Sequence, residues 1–459
     1  MKSKVSMLMA LLMVFAVVSA AAMGDKEGGA AAASAVARDE AAIAKELATK
    51  MDFNTPVFVD KAVKVAELPS LEWYTSKGAV FGSTRAKQGG TYRSFLGEFP
   101  QTFRVVGPNG NGSFRGHLLT NLSMIDVNSE TKEWMPAAAT HWAFDKNGKT
   151  VYYLLNKNMK WSDGVPVTAD DYVFVLDYMR STNIQDPWYN TYYTEQITEV
   201  KKVNTHCVAV TYRVEMDPDQ LLLYTSLSPK PKHFYPQGIP ADFVESYNWK
   251  AEPTTGPYYL ESYVKGESVR FKKVANWWGH ALLQNKYRYN PEFLEYKVIT
   301  GGNDITREYF YKGELDNLYQ IIPQEWAEGG NAQRFTQGYI DRYYSFYVPM
   351  QGMQGIFFNT QYPLFSDKNV RVGMYYAVNI QKMIDTTLRG EYARNHNMAI
   401  GHVFAGINFD DDSIRKPNFD AKKAGEYFDK AGYSIIGADG IRQNAKGQKL
   451  SFEMLYQSP

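Results

Sequence analysis

The chain has 459 residues, 44% of them hydrophobic, which is enough apolar material for two or three domains and a large buried core. Fifty Lys and Arg stand against 49 Asp and Glu, so the net charge is +1 and neither a nucleic-acid footprint nor a polybasic membrane surface is indicated. One cysteine, Cys207, excludes an internal disulfide.

Lys2 and Lys4 precede an apolar run from Met7 to Val18, and Val18-Ser19-Ala20 supplies small residues for signal-peptidase cleavage, so residues 1–23 read as a signal peptide of an exported protein. Val5 to Met23 is almost long enough to span a bilayer, which leaves an uncleaved anchor as the alternative. The lipoprotein route needs a cysteine just after the apolar run, and Cys207 is far from it. Gly24 to Ser34 reads as a linker and Ala35 to Met51 has helical composition, so residues 24–84 are expected to be a linker and peripheral extension, with the packed chain starting near Gly89.

Short β-rich runs follow. Val151 to Leu155 is a strand entered from Asn147-Gly148, the dipeptide of a type I′ hairpin turn, and Cys207 to Tyr212 and Tyr258 to Tyr263 are further strands. Between them, Lys160 to Met179 reads KWSDGVPVTADDYVFVLDYM. Ser162-Asp163-Gly164 makes a turn, Thr168 is an N-cap with Asp171 completing a capping box, and Tyr172, Val173, Leu176 and Met179 form one apolar helical face. Turn and cap chemistry account for every polar group, so this stretch reads as scaffold.

After Tyr343 the character changes. Gly355 to Thr360 reads as a buried strand, Asp367 caps a helix carrying Val370, Met374 and Ala377, and Gly390 ends the next helix. Asp420 caps a helix with Ala424, Tyr427, Phe428 and Ala431 on one face, closed by Gly432. Gly447 turns the chain into an alternating strand of Leu450, Phe452, Met454 and Tyr456.

The seven histidines form no ligand pair with a carboxylate at helical or hairpin spacing, and His396 and His402 stand six apart in a polar loop, so neither a metal site nor a cofactor is expected. Asn408, Asp410 and Asp412 imitate the start of a calcium loop, but Ser413 replaces its glycine and Phe419 its glutamate. No nucleophile elbow or phosphate-cradling glycine loop occurs, and carboxylate pairs of glycosidase type cannot be placed without a fold. The surplus is aromatic: 33 Tyr, 25 Phe and 9 Trp, with knots at Trp188-Tyr189 to Tyr192-Tyr193, Trp277-Trp278 and Tyr343-Tyr344. Most must be core, yet an aromatic cleft with a few polar anchors suits a sugar or peptide.

Lys160-Trp161-Ser162-Asp163-Gly164 with Pro166 to Asp171 resembles the signature of the family 5 extracellular solute-binding proteins, the oligopeptide and dipeptide receptors of ABC importers. Gly89-Gly90-Thr91, Pro136 to Trp142, Thr255-Gly256-Pro257-Tyr258, Asn276-Trp277-Trp278-Gly279, Gly313-Glu314-Leu315-Asp316, Phe358-Asn359-Thr360 and Asp420 to Ala424 keep the family order from about Gly89 onward. The resemblance implies an α/β fold of periplasmic binding protein type II-like character: two lobes closing on a ligand, the first carrying an extra domain.

By that resemblance the first lobe takes residues 85–115 and 213–345, the extra domain 116–212, and the second lobe 346–459, which looks incomplete because family members continue past it. It also implies a monomeric periplasmic receptor that delivers an oligopeptide to an inner-membrane permease, with no catalysis. Oligosaccharide or another small solute is the close alternative, and a secreted carbohydrate-active enzyme the alternative of another class. By position, the candidate ligand-binding residues are Glu98, Phe99, Asn317, Tyr319, Gln320 and Phe357, with Trp188 and Tyr189 as additions. The three polar ones gain weight if buried, since a buried polar group needs a partner that a ligand can supply.

Overall fold

The structure, a computed structural model, describes residues 64–110, 121–319, 332–342, 355–394 and 418–455 apart from positions 69, 129, 132 and 393, together with Pro323 and Trp326. The expected signal peptide, the helix at 35–51, Gln320, Tyr343-Tyr344, His396, His402, the Asn408–Ser413 turn and Tyr456 lie outside the described residues. The fold is mixed α/β and divides into two compact units, the larger holding the described residues up to Tyr319 and the smaller those after it.

The larger unit contains β1 (Thr91–Leu96), β2 (Ile125–Val127), β3 (Trp134–Pro136), β4 (Ala139–Phe144), β5 (Thr150–Leu155), β6 (Ile197–Asn204), β7 (Cys207–Tyr212), β8 (Tyr258–Val264), β9 (Ser268–Lys273) and β10 (Phe293–Val298). Its longer helices are α1 (Ala169–Arg180), α2 (Pro187–Glu195), α3 (Pro218–Thr225) and α4 (Asn303–Tyr311). Two four-stranded sheets organise them, an antiparallel one in the order β4-β5-β7-β6 and a mixed one in the order β1-β10-β9-β8.

Packing begins before Gly89, contrary to the expected extension. Val65 and Trp73 are buried with Ala143 and Cys207, and Tyr74 exchanges backbone hydrogen bonds with Trp142 on the edge of the antiparallel sheet. A single bridging residue leaves no alternation to read in sequence; burial of Val65 and Trp73, with the hydroxyls of Thr75 and Ser76 donating to Thr140 O and Trp134 O, ties this segment down.

Between β4 and β5 the turn is not type I′. Only Gly148 is left-handed, at φ 62, whereas type I′ needs both central residues there. The Asn147 side chain instead accepts from Lys149 N at 2.8 Å and Thr150 N at 3.1 Å, and Gly148 N donates to Asp145 O, giving a longer loop.

Thr168 caps α1 as expected: its hydroxyl accepts from Asp170 N, and Thr168 N donates to Asp171 Oδ2 at 2.8 Å. Tyr172, Leu176 and Met179 are buried, but so are Phe174, Val175 and Tyr178, so the helix buries more than one stripe. Trp161 is buried beneath the turn closed by Gly164 N to Trp161 O, which makes the Lys160–Met179 stretch scaffold.

In the smaller unit, α5 (Lys368–Ala377), α6 (Ile380–Thr386) and α7 (Ala421–Lys430) carry the N-caps expected at Asp367 and Asp420. Val370, Met374, Ala424, Phe428 and Leu450 share one core. Gly432, at φ 86, closes α7, and Tyr433 N donates to Phe428 O beyond it. Two expected strands are absent. Ile356 and Phe357 are exposed, with no ladder partner among the described residues, and after Leu450 only Phe452 turns inward while Met454 is exposed. Apolar runs become strands only where another strand accepts their hydrogen bonds.

Candidate functional site

β1 and β10 pair in parallel, from Thr91 opposite Phe293 to Leu96 opposite Val298, although some 200 residues separate them in sequence. Through β9, β8 runs in the same direction. The C-terminal ends of β1, β10 and β8 therefore open on one edge of the mixed sheet, the place where open α/β sheets present ligand-binding loops. β1 continues into Gly97, Glu98 and Phe99. β8 continues into the tight turn Val264-Lys265-Gly266-Glu267, closed by Glu267 N to Val264 O, with Gly266 left-handed at φ 79. Val298 N donates to Glu267 O at 2.7 Å and Ile299 N to Leu96 O at 2.9 Å, which sews the three loops together.

Four aromatic rings stand on this edge. Phe103 is buried and meets Trp249 edge-on at 5.2 Å and Tyr263 at 4.8 Å. Trp249 and Tyr263 lie 6.4 Å apart and 25° from parallel, and Phe99 sits 6.2 Å from each. Backbone bonds fix the arrangement, because Phe103 N and the Thr102 hydroxyl both donate to Asn248 O, next to Trp249. The Lys265 ammonium lies 5.3 Å from the centre of the Trp249 ring. Trp249 keeps 37% of its surface exposed and Tyr263 43%, so the cluster is ordered by its neighbours yet open to solvent.

Asn317 and Tyr319 hang from the other side of β1. Arg93 N donates to Asp316 Oδ2 at 2.6 Å, its guanidinium grips the same carboxylate at 2.6 and 3.2 Å, and Asp316 N returns a bond to Arg93 O at 2.9 Å. Asp316 thus bonds β1 on the side away from β10. Burial alone would raise its carboxyl, but the hydrogen bonds and charge of Arg93 together hold it below the usual range.

The other expected site residues fall as follows. Phe99 joins the aromatic cluster. Glu98 and Asn317 are exposed, so the argument from buried polar groups does not apply to them, and Tyr319 is 80% exposed. Trp188 and Tyr189 lie on α2, in ring contact with each other and with Tyr192 and Tyr193. Phe357, in the smaller unit, is 75% exposed. Asp316, Trp249 and Tyr263 were missed, though Asp316 lies inside the Gly313–Asp316 motif.

Several buried polar groups of the larger unit are paired within the protein. Thr255 O accepts the indole N–H of Trp277 at 2.8 Å and of Trp278 at 3.0 Å, while Thr255 N donates to Asn121 Oδ1. Lys230 and Glu252 form a buried ion pair at 2.9 Å, with the Tyr235 hydroxyl donating to the same carboxylate and the Tyr178 ring 4.5 Å from the ammonium. This constellation has no exposed reactive group and reads as scaffold.

Residues 133–459 match the family model of bacterial extracellular solute-binding proteins, family 5, middle portion. The chain belongs to this family. Among relatives, a binding protein of Brucella melitensis is 24% identical over 76% of this chain and 60% of its own length, and YejA of Escherichia coli 23% identical over 79% and 63%. The chain thus spans about 60% of the length of the curated relatives it matches.

Solved structures share the fold. The oligopeptide-binding protein AppA of Bacillus subtilis, in complex with a nonapeptide, aligns with TM-score 0.58 at 18% identity over 80% of this chain and 68% of its own. NikZ of Campylobacter jejuni, in complex with Ni(L-His), gives 0.56 at 19% over 79% and 66%. A Thermotoga maritima periplasmic oligopeptide-binding protein with mannohexaose bound gives 0.57 at 21% over 80% and 66%. The family whose model matches is one of extracellular solute-binding proteins. Among the described residues, no helix is long and apolar enough to cross a membrane.

Proposed function

We propose that this family 5 chain is the periplasmic receptor of an ABC importer and that its solute is an oligopeptide. The family match over residues 133–459 carries the receptor reading. The peptide reading draws on AppA, which holds a nonapeptide, and on the end of β1, where exposed Glu98 adjoins the ring cluster through Phe99. An extended peptide gains affinity from main-chain hydrogen bonds, and roomy, water-tolerant pockets accept its varied side chains. Glu98, Phe99, Asn317 and Tyr319 are the proposed ligand contacts, with Gln320, Phe357, Trp188 and Tyr189 as further ones. The protein is exported by its N-terminal leader, acts as a monomer and hands its cargo to an inner-membrane permease.

Oligosaccharide is the second reading, favoured by the mannohexaose-bound neighbour and by the exposed Trp188 ring stacked on Tyr192 at 5.3 Å. Native mass spectrometry of the mature receptor, purified without refolding, separates the two. A ladder of peptide masses is expected; a single sugar mass would sink the peptide reading.

A further inference from the structure

The mixed-sheet edge holds more chemical information than the ligand class. Trp249, Tyr263 and Phe99 are held by one another and by the buried Phe103, so little side-chain entropy is left to lose when another ring joins them. Trp249 and Tyr263 stay partly exposed, and a partly exposed ring can take a further ring in offset or edge-on contact. Lys265 supplies a second feature. Its ammonium stands over the Trp249 ring, on a turn fixed by Gly266, and forms no ion pair among the described residues. A cation held beside an aromatic face complements an apolar group with an anion next to it.

We propose that Phe99, Trp249 and Tyr263 together with Lys265 form a subsite for an aromatic side chain whose neighbour is a carboxylate, the chemistry of a peptide that ends in Phe, Tyr or Trp. The assignment rests on the peptide reading. Lys265 pairs with the terminal carboxylate, the rings hold the last side chain, and Phe103 anchors the rings from below. Trp249 and Tyr263 set specificity, and Phe103 positions them.

The full chain would be incubated with an equimolar pool of tetrapeptides differing only in the last residue, plus the same peptides as C-terminal amides, and retained masses read by native mass spectrometry. Wild type should enrich the free-acid aromatic peptides over Ala-ended ones by about 3- to 10-fold, the range expected for one added aromatic contact. Trp249→Ala should abolish the enrichment while other peptides stay bound. Lys265→Gln, an exposed change that leaves the core intact, should erase the preference for acid over amide and keep that for aromatics. Circular dichroism melts check that Trp249→Ala folds, and Tyr263→Ala is the substitute if it does not. Peptides retained without aromatic enrichment would overturn the subsite and leave the peptide reading standing. No peptide retained, with another solute class bound, would overturn both.

Discussion

The two four-stranded sheets of the larger unit are built from similar residues and end differently. In the antiparallel sheet, consecutive or near-consecutive strands pair through turns, its hydrogen bonds are answered locally, and Trp161, α1 and the Thr168 cap close its surroundings. In the mixed sheet, β1 and β10 come from distant parts of the chain and pair in parallel, which points three strand ends the same way and leaves their loops to be filled by rings and charges. Local pairing completes a scaffold; long-range parallel pairing creates an edge that a ligand can complete. The contrast can be broken by substitution: changes in the scaffold should cost stability and spare binding, and changes at the edge should do the reverse.

The largest effect is expected where charge is buried. Glu252→Ala strands the Lys230 ammonium among Tyr178 and Tyr235 and should destabilise by about 3–5 kcal/mol, read as a lower urea midpoint. An unchanged midpoint would show that the pair is dispensable and that the scaffold does not depend on internal satisfaction. Next in size is Thr168→Ala, which removes one half of the capping box of α1 and should cost about 1 kcal/mol with no change in ligand selectivity.

Both sites differ in how legible they were. The Thr168 cap, the Asp367 and Asp420 caps and the strand Cys207–Tyr212 follow from patterns within a few residues, and the structure places them as expected. Tyr263 could not be read. A bulge at Glu261, between the pairs Leu260–Phe271 and Ser262–Arg270, shifts the alternation by one and brings Tyr263 to the face of Leu260, opposite Val269. Trp249 meets Phe99 across 150 residues of sequence, beyond any local period. The Ile356–Phe357 run failed for the converse reason: its composition suits a strand, but strand formation depends on a partner that composition does not encode.

A smaller effect is expected at the Arg93–Asp316 contact of β1, and it should be visible through pH. The Asp316 carboxyl is held below its ordinary value, so the stabilisation from Arg93 is fully present above the unfolded-state pKa and is lost as pH falls through the folded one. Lowering the pH from 5 toward 3 should therefore loosen this tether more in wild type than in Asp316→Asn, followed by urea midpoints at each pH. Equal slopes in the two proteins would remove Asp316 as the clasp of β1.

The smallest expected signal is a null one, and it reports on the scaffold directly. Cys207 lies on β7, a central strand of the antiparallel sheet, fully buried with Val65, Trp73 and Ala143. Burial, with a lesser push from Glu67, drives its thiol up to about 12, so at pH 8 almost no thiolate exists and reagent has no path to it. A thiol reagent should leave the native protein unmodified and react fully in 6 M urea. Because β7 is flanked on both sides, exposure of Cys207 requires the sheet to open, and labelling at intermediate urea should track the global transition. Fast native labelling would place β7 in a region that opens on its own, and the sheet assigned here as scaffold would then be the more mobile of the two.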